Sequence, residues 1–315
     1  MKNILCYIGK KLLMAVPILI GVTLLAFILG VISPSDPAEV VLGMDGIASP
    51  TEEEITIKRH ELGLDRSYVV QYVSWVEQIL KGDLGTSYIT KTPIAEEIAR
   101  RLPVTISVSV CALFLVVFIG IPLGIFMALH QEQRSDHVLR IGALLITSIP
   151  GFWLAIILMR IFCEQLHLLP TSGYGTWQQL VMPSFVLAAG TIGVIMRLNR
   201  STLLEVLEEN FILTERSKGL PFPKIIWRHG FPNSLIPIVT LLGNYFGGIL
   251  GGSTIIEVIF ALPGMGSYVI EGIMSRDYPV VQGYVIFTGV IFIIFNLLID
   301  LVYVVLNPKI RLEGR

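Results

Sequence analysis

Charge is scarce in this sequence. Asp, Glu, Lys and Arg make up 15% of the 315 residues, against 53% hydrophobic residues and a mean hydropathy of +0.74. Soluble domains carry about 25% charged residues, so an ordinary soluble domain is excluded. A Gly-x-x-x-x-Gly-Lys-Ser/Thr phosphate loop is missing, which removes the usual route to ATP binding. Cysteine is nearly missing too: Cys6, Cys111 and Cys163 are odd in number, far apart and without a Cys-x-x-Cys, so they read as isolated thiols. His60, His130, His137, His167 and His229 lack the spacing of a helical metal motif, so neither a metal site nor a resident cofactor is expected. No nucleophile stands beside a base at a recognisable spacing. These absences leave a path or a scaffold rather than an enzyme, and no nucleic-acid partner.

What the chain does have is six long runs without a charged side chain: Leu12–Ile32, Leu102–Leu129, Ile141–Met159, Gln178–Met196, Gly230–Ile256 and Tyr278–Ile299. A run of about 18 or more such residues can cross the roughly 30 Å hydrocarbon core as a helix. Pro122, Pro150 and Pro183 fall inside the runs, which packed membrane helices tolerate. The alternation of a barrel strand is missing, so the expected fold class is an all-α integral membrane protein with six transmembrane helices.

Orientation follows from Lys and Arg. Lys2, Lys10 and Lys11 precede the first run; Arg134 and Arg140 lie in the second connector; Arg197, Arg200, Arg216, Lys218, Lys224 and Arg228 lie in the fourth; Lys309, Arg311 and Arg315 lie in the tail. The short connectors on the opposite side have only Arg160 and Arg276. Both termini and the Arg197–His229 connector are therefore expected to be cytoplasmic. Leu12–Ile32 is 21 residues long with no evident cleavage site, so an uncleaved first span is expected.

The expected organisation is a cytoplasmic start and first span (1–32), an extracytoplasmic helical loop (33–101), the remaining five spans (102–299) with a cytoplasmic loop at 197–229, and a cytoplasmic tail (300–315). In the first loop, Ser49-Pro50-Thr51-Glu52 reads as a capping box with proline at the first helical position, and Gly63 as a stop. Ser67–Lys81 has an apolar stripe, and Thr92–Arg101 is a third short amphipathic piece. The loop is either a helical cap lying on the membrane or a docking surface for an external partner.

The fourth connector is the candidate site. Thr214, Glu215, Arg216, Ser217, Lys218, Gly219 and Leu220 lead to Pro221 and Pro223, then to Arg228 and His229. Glycine lets a helix end in a left-handed turn and the prolines stop it from continuing, so a helix, a corner and a second short helix are expected. In the fifth run Gly243, Gly247 and Gly251, and Gly248 and Gly252, form two small-residue ridges for close helix packing, within this chain or with another. Asn244, Thr288 and Asn296 are polar groups inside runs and candidates for lining a path, while Glu257, Glu271 and Asp300 sit near run ends.

Several segments together carry a resemblance: Leu62-Gly63-Leu64-Asp65, Gln71-Tyr72, Gly82-Asp83-Leu84-Gly85-Thr86-Ser87, Leu102-Pro103-Val104-Thr105, Gly219-Leu220, Arg228-His229, Asn233 to Pro237, Pro263-Gly264-Met265-Gly266 and Arg276-Asp277-Tyr278-Pro279-Val280-Val281-Gln282. Their order and spacing resemble permease subunits of binding-protein-dependent ABC importers, in the dipeptide, oligopeptide and nickel branch. The first permease of that branch's pair has the long external loop. The resemblance implies a type I ABC importer permease fold in a bacterial inner membrane. It also implies a second homologous permease, two ATP-binding subunits that hydrolyse the ATP, and an external binding protein. The fourth connector is similar to the family's Glu-Ala-Ala loop, whose coupling helix seats on an ATPase. Gly219 falls on the anchor glycine, Leu213-Thr214-Glu215 on the first three places, and Pro232 near the end. Gly173-Tyr174-Gly175-Thr176-Trp177-Gln178 resembles nickel-type members, so nickel as a chelate leads, with di- or oligopeptides as the alternative and a membrane scaffold or sensor as a reading from another class.

Overall fold

In the computed structural model, residues 2–32, 36–44, 46–47 and 49–306 are described, and within them the side chains of 2–8, 10, 12, 250–252 and 300–306 are left aside. The described residues are helical and hold no strand, apart from one antiparallel bridge between Thr86 and Pro93. The chain divides into two compact units, Met1–Val104 with Pro263–Ile293 and Thr105–Leu262 with Ile294–Arg315.

The first unit contains α1 (Lys2–Ile32), α2 (Pro37–Met44), α3 (Glu52–Glu61), α4 (Tyr68–Leu80), the start of α5 (Ile94–Leu129), α13 (Met265–Met274) and the first half of α14 (Tyr278–Leu306). The α3 start corrects the expected capping box. Thr51, not Ser49, is the N-cap, because its third neighbour Glu54 can answer it: Glu54 Oε2 accepts from Thr51 N at 2.8 Å and Thr51 Oγ1 accepts from Glu54 N at 3.3 Å. Pro50 therefore stays outside the helix. The amphipathic piece expected at Thr92–Arg101 leads into the second span as part of the same helix. It begins at Ile94 and runs through Pro103 into the span without a break. Ile94, Ile98, Met265, Tyr268, Val280 and Tyr284 form the unit's core. Along α1, Thr23 Oγ1 meets the Tyr72 hydroxyl at 2.9 Å, and the Phe27 ring lies 5.5 Å from that of Tyr72 and 5.9 Å from that of Trp75.

The second unit is built around α8 (Trp177–Leu207), which packs against the second half of α5, α6 (Arg134–Ser148), α7 (Gly151–Gln165) and, further along, α11 (Phe231–Gly252). Close approach explains the glycines at two crossings. A Cβ on Gly193 would stand 2.6 Å from the Ala143 carbonyl oxygen, and one on Gly124 would stand 2.8 Å from that of Met196. Ala112, Met127, Ala188, Ile192, Ile195 and Ile238 fill the core between these helices.

Among the described residues, four helices are long and apolar enough to cross a membrane: Leu13–Ile32, Ile94–Leu129, Trp177–Leu207 and Tyr278–Ile299. The third expected span, Ile141–Met159, is not one rod. α6 and α7 meet at 100°, and counting them as one broken span brings the total to five. Proline at 150 disfavours the helical region for Ile149, which adopts φ −79° and ψ 123°, and Pro150 itself is extended at ψ 132°. Pro122 has a different outcome, since the wide π turn at Val116–Gly120 precedes it and the helix continues. The fifth expected span, Gly230–Ile256, ends earlier than read: α11 stops at Gly252 and α12 (Thr254–Ile259) follows Ser253.

Candidate functional site: the Arg197–His229 connector

The connector begins as helix. α8 carries on through Arg200 and Leu203 to Leu207, so the span and the first part of the connector are one element. Its base is clamped by a buried ion pair. Arg200 donates from Nε to Asp136 Oδ1 and from Nη2 to Asp136 Oδ2, each at 2.8 Å, while the Asp136 carboxylate also accepts from the Glu132 backbone at 3.1 Å. Asp136 is fully buried, at the first turn of α6, where the positive end of the helix dipole favours an anion. Beside it, buried Asn199 donates from Nδ2 to the Ile121 carbonyl at 2.8 Å.

After α8 come α9 (Asn210–Ser217), the corner and α10 (Phe222–Ile225), which opens through a π turn (Ile226–Gly230) into α11. The corner is the one expected. Gly219 has φ +80°, the left-handed region that only glycine takes cheaply; its N–H donates to Arg216 O at 2.9 Å, and Leu220 N–H reaches Glu215 O at 3.4 Å. Pro221 caps the next helix. Fully buried Ile212 and Ile225 and nearly buried Ile226 anchor the two helices, with Leu203 packed against Ile125 and Ala128 below them.

Anchored in this way, the loop presents basic and aromatic side chains to the outside, with Glu208 and Glu209 exposed as well. Thr214, Arg216, Ser217, Lys218 and Arg228 are exposed, along with Phe211, Leu213, Phe222 and Trp227, the last at 62% exposure. The Arg216 guanidinium lies 5.2 Å from the centre of the Phe222 ring. Lys218 Nζ donates to Glu215 Oε1 at 2.8 Å and holds the Glu215 carboxyl below its usual range. The Thr214 and Ser217 hydroxyls bond back to Asn210 O and Leu213 O, so the polar side chains serve the helix as well as the surface. His229 is half-buried, with its carbonyl accepting from Asn233 Nδ2 at 2.6 Å. Such a face can receive an acidic cleft of another protein; among the described residues it holds no cluster for a metal.

The other expected site residues are more scattered. Gly243 faces Ile299 of α14, so that position of the glycine ridge is spent on packing within the chain, whereas Gly248 faces open space and Gly247 is buried. Gly251 and Gly252 lie in the last turn of α11, and their packing lies outside the described residues. Asn244 is exposed and Asn296 half-buried. Thr288 bonds back to Tyr284 O at 2.8 Å on its own helix.

Other polar contacts are at least as prominent. Fully buried Glu257 accepts from Thr105 Oγ1 at 2.7 Å and Ser253 Oγ at 2.8 Å, and in the other unit Asp277 accepts from Ser87. Ser87 and Asp277 each sit in a segment that carries the resemblance, and that was the available signal. Asp136 lies among the other charges of its connector, Glu132, Arg134 and Arg140, and nothing in that stretch marks it out.

A helical membrane chain with a glycine-cornered basic loop defines a transporter permease class, and comparison with known proteins makes it particular. The model of the family described as "binding-protein-dependent transport system inner membrane component" matches residues 120–312, and that of its N-terminal region matches residues 4–109. A "putative peptide transport system permease protein" of Brucella abortus (strain 2308) is 37% identical over 312 residues, covering 96% of this chain and 98% of its own. The "glutathione transport system permease protein GsiC" of Salmonella choleraesuis (strain SC-B67) is 36% identical over 305 residues, covering 97% and 98%. A solved structure of the MetNI methionine ABC transporter in inward-facing conformations is similar in fold alone, with a TM-score of 0.58, 16% identity and coverage of 67% of this chain and 96% of that one. The chain belongs to the family of binding-protein-dependent transport system inner membrane components. It is a multi-pass permease of an ABC importer with a type I importer fold, and a transporter subunit rather than an enzyme.

Proposed function

We propose that this chain forms half of a passage for short peptides, handed to it by an external binding protein and driven by ATPase subunits docked on the α9–α10 corner. The observation that carries the substrate class is the near full-length similarity to relatives named for peptide and glutathione transport. Nickel, the leading expectation from Gly173–Gln178, has no counterpart among those names, so peptides take precedence. The second half of the passage is a homologous permease, and Gly248, open on α11, is the ridge position best placed to meet it. Asn244, Thr288 and Asn296 remain the candidates for lining the passage. Both termini and the corner face the cytoplasm, the 33–101 loop faces outward, and ATP is bound only by the partners.

Reconstitution tests the reading. The purified chain alone in lipid vesicles, with ATP and a binding protein, should neither hydrolyse ATP nor concentrate substrate. Adding a second permease and two ATPases should restore both for di- and tripeptides. Accumulation of a nickel chelate with no accumulation of peptide would overturn the substrate class, and accumulation by the chain alone would overturn the subunit assignment.

A further inference from the structure

Helix α4 is amphipathic the wrong way round for a helix at a water surface. Gln71, Ser74 and Gln78, spaced to share one face, line a cavity of about 620 Å³ inside the first unit, together with Asp36, Arg59 and Gln282. Gln71 is held there by bonds from Nε2 to Leu64 O and Arg66 O, at 3.1 and 2.7 Å. On the opposite face Val69, Val73, Val76 and Leu80 form an apolar stripe at helical spacing, with Val69, Val73 and Leu80 exposed at 73%, 58% and 83%. A soluble helix turns its apolar stripe inward.

The depth of α4 says what covers the stripe. Its third face, Tyr72 and Trp75, packs on Thr23 and Phe27 of α1. Those residues precede the Ile32 end of the span by nine and five positions, about 14 and 7 Å at 1.5 Å per residue. Half of a hydrocarbon core is about 15 Å.

We propose that α4 is embedded in the leaflet at the Ile32 end of α1, its Val69–Val73–Val76–Leu80 stripe against lipid acyl chains and its Gln71–Ser74–Gln78 face on a water-filled vestibule. The helix thereby walls an aqueous chamber off from lipid, although at 13 residues it is too short to span. Only the membrane location of the family is needed for this, not the substrate or the orientation.

The test uses the assembled transporter in vesicles of phosphatidylethanolamine and phosphatidylglycerol. With Cys6, Cys111 and Cys163 replaced, nitroxides on Val69→Cys, Val73→Cys and Leu80→Cys should relax strongly with oxygen and weakly with a water-soluble paramagnetic chelate. On Ser74→Cys and Gln78→Cys the order should reverse. Chelate access at Val73 and Leu80 would overturn the proposal in favour of a water-facing docking surface. Silence towards both agents would overturn it in favour of a covering protein such as a second permease. Should the labelled variants fail to assemble, the unmutated transporter with a phospholipid bearing a diazirine on its acyl chain decides: modification within Tyr68–Leu80 supports the proposal, and an unmodified α4 beside a modified α1 overturns it.

Discussion

Ser87 donates its hydroxyl to Asp277 Oδ2 at 2.5 Å, joining positions 190 residues apart in the sequence. Asp277 Oδ1 accepts in addition from Tyr88 N–H at 3.1 Å, so one buried carboxylate organises the turn that follows Gly85. Two of the segments that carry the resemblance to the importer family thus meet at one hydrogen-bonded anchor. Asp277→Ala should leave the Ser87 hydroxyl and the Tyr88 amide short of partners, at about 1–3 kcal/mol each. The expected result is a lower Tm of the purified complex and faster proteolysis between residues 82 and 93. An unchanged Tm and cleavage pattern would remove Asp277 from this role.

Tyr88 beside that carboxylate gives an alkaline signature. Burial, and secondarily the Asp277 charge, push its phenol up to about 12. Raised above the unfolded value of about 10, the group contributes stability that is complete below pH 10 and is lost as pH climbs towards 12. Subtracting the phenolate absorbance titration of Tyr88→Phe from that of the parent should leave one transition near pH 12. A transition near pH 10 would contradict the buried setting.

The corner at Gly219 is sterically open but conformationally restricted, since a Cβ there meets nothing within 4 Å while φ is +80°. Gly219→Asp should cost about 1 kcal/mol of backbone strain and place a negative charge in the basic face. Substrate uptake and substrate-stimulated ATP hydrolysis should fall several-fold with protein abundance unchanged, and Gly219→Ala should be milder because it adds only the strain. Normal uptake by Gly219→Asp at normal abundance would dismiss the docking role.

Removing one partner of the Asp136–Arg200 pair should cost about 3 kcal/mol, the low end for a buried pair, because Arg140 at 4.0 Å from Asp136 and Glu132 at 3.7 Å from Arg200 leave the surviving charge a weaker partner. Asp136→Ala and Arg200→Ala should each lower stability strongly, and the double variant should lose less than the sum. Additive losses in the denaturation of the complex would mean that the two groups act independently.

Topology has its own readout. A cysteine label at Glu53→Cys should react with an impermeant reagent on intact cells, whereas Glu208→Cys and Lys309→Cys should react only after permeabilisation. Lys309 lies outside the described residues, so this measurement alone places the tail.

The membrane architecture was legible because apolar runs of span length have few other uses, and the glycine-proline corner because φ +80° and a capped restart follow from residue types alone. Three prolines show where that reading ends. Pro122 is absorbed after a π turn, Pro183 sits inside α8, and Pro150 forces a 100° bend. Residue type alone does not separate these three outcomes. Long-range polar anchors such as Ser87–Asp277 and Asp136–Arg200 were hidden for the same reason, since neither partner has a local pattern announcing the other. The capping box starts at Thr51 rather than Ser49 because Glu54, three positions past Thr51, is the residue that answers the cap.

Helix α8 passes from Trp177 to Leu207 as one element, clamped near its far end where Arg200 grips Asp136. Mechanically that makes it a lever with its pivot close to the corner. From Pro183 to Arg200 the arm is about 25 Å, so a tilt of about 5° at the pivot sweeps the distal end through about 2 Å, roughly half the width of a methylene. Under the docking proposed above, a push on α9 would be felt deep in the span as a change of side-chain register rather than a wholesale opening.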